Sequence, residues 1–265
     1  QIFPCVFTTS SPSSFFKQKT AYVIKECDWS SDVCSSDLYL RDDTDINISE
    51  KNPYFCELTA LYWIWKNISA RPDEIEGIVH YRRYFTSHWK NFLYQHGGEI
   101  PPILSYERIK EILADNDAIV PVKKRSFKPI EETYAYFHND EDLKILGDAV
   151  KQVQPEYYND YKEMLSDHAY YYANMIICRR SLLNRYSEWL FSILFEAEKH
   201  ININNYDDDY QKRVFGFMSE RLLQVWIKHN NIKTVEMSVF NTEQRGDTIM
   251  VRIRDKMGRL LKKNG

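Results

Sequence analysis

His80, Tyr81, Arg82, Arg83, Tyr84 and Phe85 form one unbroken run. Two adjacent guanidinium groups are planar forks of N–H donors that match the oxygens of a phosphate or carboxylate, and they cannot both be buried without anions. A diphosphate answers that need, and so would Asp or Glu from neighbouring elements; spacing alone leaves both readings open. The run follows Ile78 and Val79, which read as a short apolar strand. Ligands of open α/β sheets bind beyond the carboxyl ends of strands, so a substrate is expected here.

Other residue types that carry chemistry are scattered. Glu220 and Arg221 follow Gly216 near a helix start, where a carboxylate can serve as general base or simply favour the helix N-terminus. Asn174 opens an apolar strand, with an amide suited to a sugar hydroxyl or to capping a turn. His138 and Asp142 are four apart and could share a helix face, either as an oriented imidazole or as a surface pair. The acidic runs Asp42-Asp43-Thr44-Asp45, Asp115-Asn116-Asp117 and Asp207-Asp208-Asp209 raise the question of a divalent ion. Asp115 and Asp117 precede their strand, which puts them at the edge opposite a substrate, in a helix-to-strand turn. No metal ligand set is assigned, and a divalent cofactor is neither required nor excluded.

Alternating elements position these groups. Asn52 and Pro53 open a helix running to Asn67, with Asn52 as cap, and Ser105 caps another through Leu113. Asp117–Val122 and Ala173–Cys178 read as buried strands. Ser181–Lys199 and Phe217–Lys228 read as amphipathic helices, and NIKTVEMSV as a closing strand. This order argues for an α/β fold with a mostly parallel sheet flanked by helices. Residues 87–102 read as loop, and 131–165 as short helices broken near Asn139 and Pro155.

The composition is globular: 265 residues, 43% hydrophobic, 28% charged and 8 Gly. A net charge of -3 lacks the basic excess of duplex nucleic-acid binders. Residues 1–38 are set aside from the fold as a non-native, disordered segment, because KQKTAY and DWSSDVCSSDL read as translated sequencing adapter. That leaves only Cys56 and Cys178 in the domain, without zinc spacing or a disulfide framework, so a reducing cytosol is the default compartment. The domain spans 39–240, and a basic tail, 241–265, follows. Its apolar residues recur at helical steps, as expected either of a helix on an anionic membrane or of a terminal helix packed on the domain.

DDTDINISEKNPYFCELTALYWIWKN from Asp42, HYRRYF, YAYFHNDEDL from Tyr134, PEYY from Pro155, NMII from Asn174, WLFSILFEAEK from Trp189 and RVFGFMSERLLQVWI from Arg213 together resemble one bacterial family. It is the domain of unknown function of capsular and exopolysaccharide biosynthesis proteins, regarded as glycosyltransferases related to the GT-A fold. The resemblance implies a Rossmann-like sheet and transfer of sugar from a nucleotide-sugar donor to a lipid-linked glycan at the cytoplasmic leaflet. It implies donor contacts from His80, Arg82, Arg83, Asn47 and Arg213. Sugar or acceptor contacts fall to Asn174, His138 and Asp142, and base chemistry to Glu220. Family members look as if they begin with a further strand and helix, so the N-terminal unit is expected to be truncated and the donor site incomplete. They also resemble DDTGDN where this chain has Asp45, at a turn position that favours Gly. The competing function is a non-catalytic glycan- or phosphate-binding module of an assembly complex.

Overall fold

The computed structural model describes residues 41–80, 82–86, 103–206 and 208–241, together with the backbone of two strands nearer the N-terminus. Tyr81, Asp207, residues 87–102, which the sequence reads as loop, and the residues beyond Asn241 lie outside the described residues. In chain order the strands are β1 (Pro4–Phe7), β2 (Tyr22–Ile24), β3 (Ile75–His80), β4 (Arg83–Thr86), β5 (Ala118–Pro121), β6 (Lys124–Arg125), β7 (Ala169–Tyr170), β8 (Ile176–Arg179) and β9 (Thr234–Asn241). The helices are α1 (Asn52–Phe55), α2 (Leu58–Asn67), α3 (Tyr106–Asp115), α4 (Ile130–Phe137), α5 (Glu141–Val153), α6 (Tyr158–Ser166), α7 (Arg180–Glu198) and α8 (Val214–His229).

The sheet is mixed and mostly antiparallel, which corrects the expectation of a mostly parallel one. Among the described strands, only β1–β2 and β5–β9 run parallel. The pairings β1–β3, β3–β4, β3–β8, β4–β9 and β5–β8 are antiparallel. Two physical causes account for the difference. Strands β3 and β5 share a direction, but β8 lies between them and runs against both, so no parallel crossover joins neighbours there. The chain also reverses between His80 and Arg83, so the basic run belongs to a hairpin rather than to a loop leaving a strand. The pairings β3–β4, β4–β9, β9–β5, β5–β8 and β8–β3 close into a ring.

Residues 1–38, left out of the fold on sequence grounds, supply β1 and β2. Strand β1 pairs with the outer edge of β3, from Pro4 opposite His80 to Phe7 opposite Gly77. Backbone pairing at an open strand edge requires an extended segment and no particular side chains, which is why composition did not announce it.

Period-two alternation divides the core. Ile78, Ile176, Cys178, Ala118 and Val120 join a large cluster with α2, α5, α7 and α8, built on Phe55, Leu61, Leu190, Leu194, Phe215 and Trp226. Val79, Ile119, Met175 and Ile177 point the other way, onto Ile109 and Leu113 of α3. At Gly77 an added Cβ would stand 2.5 Å from the Ile176 carbonyl oxygen and 2.8 Å from the Ile177 Cα, so β3 and β8 approach as closely as they do only because that side chain is missing. Arg180 fastens the layers: its guanidinium pairs with buried Glu76 of β3 and donates to the Ile64 and Ile68 carbonyls, at 2.9 and 2.8 Å, at the end of α2.

The acidic loop before α1 is bolted to α2. Trp63 Nε1 donates to the Thr44 carbonyl at 2.8 Å, and Asn67 Nδ2 donates to the Ile46 carbonyl at 2.8 Å. Asp45 sits in this loop at φ 48°, the left-handed region where a Cβ is unfavourable. Asp45→Gly is therefore expected to raise stability by about 0.5–1 kcal/mol, measured by urea unfolding; an unchanged or lower midpoint would contradict the strain.

Candidate functional site

One end of the sheet gathers the polar side chains. There β3 ends at His80, β4 begins at Arg83, β5 delivers its chain to β6 and Lys124, and the approach to β8 carries Tyr172 and Asn174. A break between α1 and α2 adds a carboxylate. The expected continuous helix from Asn52 to Asn67 is interrupted at Cys56, whose φ of 54° turns the chain. Asn52 is the first residue of α1 rather than its cap, and its amide donates to the Cys56 carbonyl at 3.0 Å, steadying the interruption. Glu57 follows, 97% removed from solvent.

Glu57 is oriented from two sides. Asn174 Nδ2 donates to its Oε1 at 2.6 Å and to the Gly216 carbonyl at 3.1 Å, while Ser219 Oγ donates to Asn174 Oδ1 at 2.7 Å. His80 Nε2 lies 3.5 Å from the same Oε1. Glu57 Oε2 and His80 Nε2 are buried without a hydrogen-bond partner. Burial pushes the His80 imidazole down to about 4, with Arg83 and Arg213 adding repulsion and Glu57 opposing it. A neutral ring is thus the resting form.

Four cations surround this pair. Arg213 Nε contacts Cys56 Sγ at 3.1 Å, and burial lifts that thiol to about 12. Arg221 Nη1 donates to Glu220 at 2.7 Å, and its guanidinium lies 4.9 Å from the Tyr170 ring centre. Arg83 and Lys124 lie 6.0 and 4.0 Å from the centre of the Tyr172 ring. Among the described residues neither makes an ion pair with a carboxylate. Loss of hydration, then the charge of Arg83, hold the Lys124 ammonium below its usual range, with Glu220 opposing the shift and Arg221 adding to it. Burial raises the Glu220 carboxyl, Glu57 raises it further, and Arg221 and Arg83 oppose the shift.

The structure brings together His80, Arg83, Asn174, Arg213 and Glu220 of the expected site residues. Arg82 stands half-buried at the hairpin turn. Asn47 is used within its loop: Nδ2 donates to the Asp45 carbonyl at 3.0 Å and Oδ1 accepts from the Ser49 hydroxyl at 2.9 Å. His138 and Asp142 do not share a helix, because α4 stops at Phe137. His138 bonds Gln211 at 3.0 Å and stacks 4.1 Å from the Phe217 ring, and Asp142 accepts from the Tyr134 and Tyr206 hydroxyls at 3.0 and 2.5 Å. Asn174 uses both amide hydrogens internally, so it acts on the site through Glu57.

Glu57, Lys124, Tyr172 and Ser219 were missed. The available signal for Glu57 was a lone carboxylate in the apolar run YFCELTAL. The acidic runs behave as turns. Asp117 accepts from the Lys233 backbone N–H at 2.8 Å, Asp208 from that of Gln211 at 2.7 Å, and buried Asp42 from the Thr59 hydroxyl at 2.7 Å. Among the described residues no three His, Cys, Asp or Glu side chains converge to hold a metal ion. An open hollow of about 340 Å³ elsewhere is lined by Asp160, Glu163, Asp167 and Lys228, with Lys228 already paired to Asp160 at 3.3 Å.

This is an α/β domain with a cationic, carboxylate-containing site at one end of its sheet. Residues 19–231 match the family described as Domain of unknown function (DUF4422), and the chain belongs to that family. A solved structure titled as the apo form of the WbbM bifunctional glycosyltransferase is similar, with a TM-score of 0.66 and 31% identity. The similarity covers 76% of this chain and 39% of the other, so this chain spans well under half of that protein. No curated protein matches the chain. Among the described residues no helix is long and apolar enough to cross a membrane.

The His80 imidazole supplies a pH test. Unfolded, it takes up a proton near 6.5; folded, only near 4. The unfolded state binds more protons between those values, so stability is complete above the window and falls as pH drops through it. The loss is roughly 3 kcal/mol at most. Urea unfolding between about pH 4 and 7 should show this acid limb, and His80→Asn should flatten it; equal slopes in both proteins would refute the buried neutral ring.

Proposed function

We propose that this domain transfers a sugar from a nucleotide-sugar donor to a glycan acceptor. The observation that carries the reading is the charge imbalance at the sheet end: Arg83 and Lys124 lack carboxylate partners among the described residues, while Arg213 adds a third cation beside them. A departing nucleoside diphosphate supplies the missing anion. His80, a neutral donor or acceptor at the same edge, and Arg82 at the hairpin turn complete the donor-binding set.

In the reaction the acceptor oxygen forms a bond to the anomeric carbon as the bond from that carbon to the phosphate oxygen breaks. The electron pair leaves with the diphosphate, where Arg83 and Lys124 neutralise it. The acceptor proton passes to Glu220, whose desolvated carboxylate has a raised proton affinity. Asn174 and Ser219 fix Glu57 beside His80, and Asp142 fixes the α4–α5 corner that carries His138. The resemblance to capsular and exopolysaccharide proteins supports a lipid-linked acceptor and work at the inner face of the membrane.

One observation favours the competing reading of a binding module without turnover. Glu220 is already hydrogen-bonded to Arg221 at 2.7 Å, as a purely structural carboxylate would be. The two readings separate in a donor-hydrolysis and transfer assay. Arg83→Ala is expected to lower transfer by about 10²- to 10³-fold. Glu220→Gln should abolish turnover while leaving nucleoside-diphosphate binding intact. Undiminished turnover in either variant would remove the role assigned to that residue.

A further inference from the structure

Half of the exposed large apolar side chains of the described chain gather at one place. Tyr136 at 66% and Phe137 at 59% exposure close α4, and Tyr210 at 54% belongs to the segment hydrogen-bonded to the end of that helix, whereas Ile46, Val122 and Phe127 lie on other segments. Tyr136 and Phe137 meet edge to face at 4.9 Å. Gln211 ties their segment to Tyr210, since its Nε2 donates to the Phe137 carbonyl at 2.9 Å and its Oε1 meets His138 Nδ1 at 3.0 Å. The His138 ring then lies nearly parallel to Tyr210, at 6.1 Å and 24°. Ring edges and faces are thus presented in a fixed arrangement at little conformational cost.

The platform is continuous with the candidate site. Arg213, whose Nε contacts Cys56 beside Glu57, has its guanidinium 5.7 Å from the centre of the Tyr210 ring. The outer fringe carries Asp140, Glu141, Asp208 and Asp209, with Lys144 paired to the first two and Lys212 to the last, while Arg213 lies on its inner side toward the candidate site. Away from Arg213 such a fringe offers, among the described residues, no cation in excess of carboxylate to an anionic lipid surface. It suits a neutral ligand that offers hydroxyl donors to carboxylates and C–H faces to aromatic rings. We infer that Tyr136, Phe137, His138 and Tyr210 form a saccharide-binding subsite for the acceptor glycan, a reading that rests on the glycosyl-transfer proposal for the identity of its ligand as acceptor.

The test is saturation-transfer NMR on the full chain with maltohexaose and lactose as neutral saccharide probes, run beside a nucleoside-diphosphate titration. Wild type should show saccharide contacts. Tyr210→Ala and Phe137→Ala should each weaken them about tenfold, the size of one lost stacking contact, and Tyr210→Trp should keep them. Nucleoside-diphosphate affinity should be unchanged in all three variants, which also shows that they fold. Absence of saccharide contacts in wild type, or equal binding by the alanine variants, overturns the subsite. So does light scattering that shows the patch to be a self-association face, or binding to anionic vesicles that Tyr210→Ala abolishes. If saccharide binds through the platform while no nucleoside diphosphate binds, the subsite stands and the transfer reading falls.

Discussion

A carboxylate held out of water organises this end of the molecule. Glu57 reaches its place only because the chain breaks helix at Cys56, and the break persists because Asn52 satisfies the carbonyl it exposes. Burying a charged carboxylate is costly unless hydrogen bonds and opposite charge compensate it. Here Asn174 supplies the hydrogen bond and is in turn fixed by Ser219 and the Gly216 carbonyl, so α8, the approach to β8 and the α1–α2 corner are locked into one arrangement. Gly216 is part of the same fit: an added Cβ would stand 3.3 Å from Cys56 Sγ.

The surrounding cations exceed what that arrangement needs. Arg221 answers Glu220, and Arg213 lies against Cys56, but Arg83 and Lys124 lie over the Tyr172 ring and, among the described residues, make no ion pair with a carboxylate. The Lys124 ammonium is held below its usual range by lost hydration first and by Arg83 and Arg221 after it, against the pull of Glu220, although its side chain still reaches solvent. Such an arrangement costs stability in the free protein and is relieved by an anion, which is how a binding site differs from a surface salt-bridge network.

Much of the frame was legible in the sequence because apolar periodicity is a local property. The long helices were found within a few residues of their ends, Arg180–Glu198 against the expected 181–199 and Val214–His229 against 217–228. The sheet's directions were not legible, because strand order and sense are decided by partners far away in the chain. The residues between His80 and Arg83 in the sequence are Tyr and Arg, with no Asn-Gly or Asp-Gly signature to announce the hairpin. At the site, adjacent arginines after an apolar strand were visible, whereas Lys124 and Tyr172 meet only through the fold. Asp45 shows the converse, since the departure from Gly was visible in sequence and the backbone there is indeed left-handed.

The central claim is that the Arg83–Lys124 charge awaits a diphosphate. Calorimetric titration of the full chain with a nucleoside diphosphate measures it, run on wild type, Arg83→Ala and Lys124→Met. Wild type should bind, and each variant should bind about tenfold or more weakly, because each removes one charge facing the phosphates. No binding by wild type, or equal affinity in all three proteins, would contradict the account.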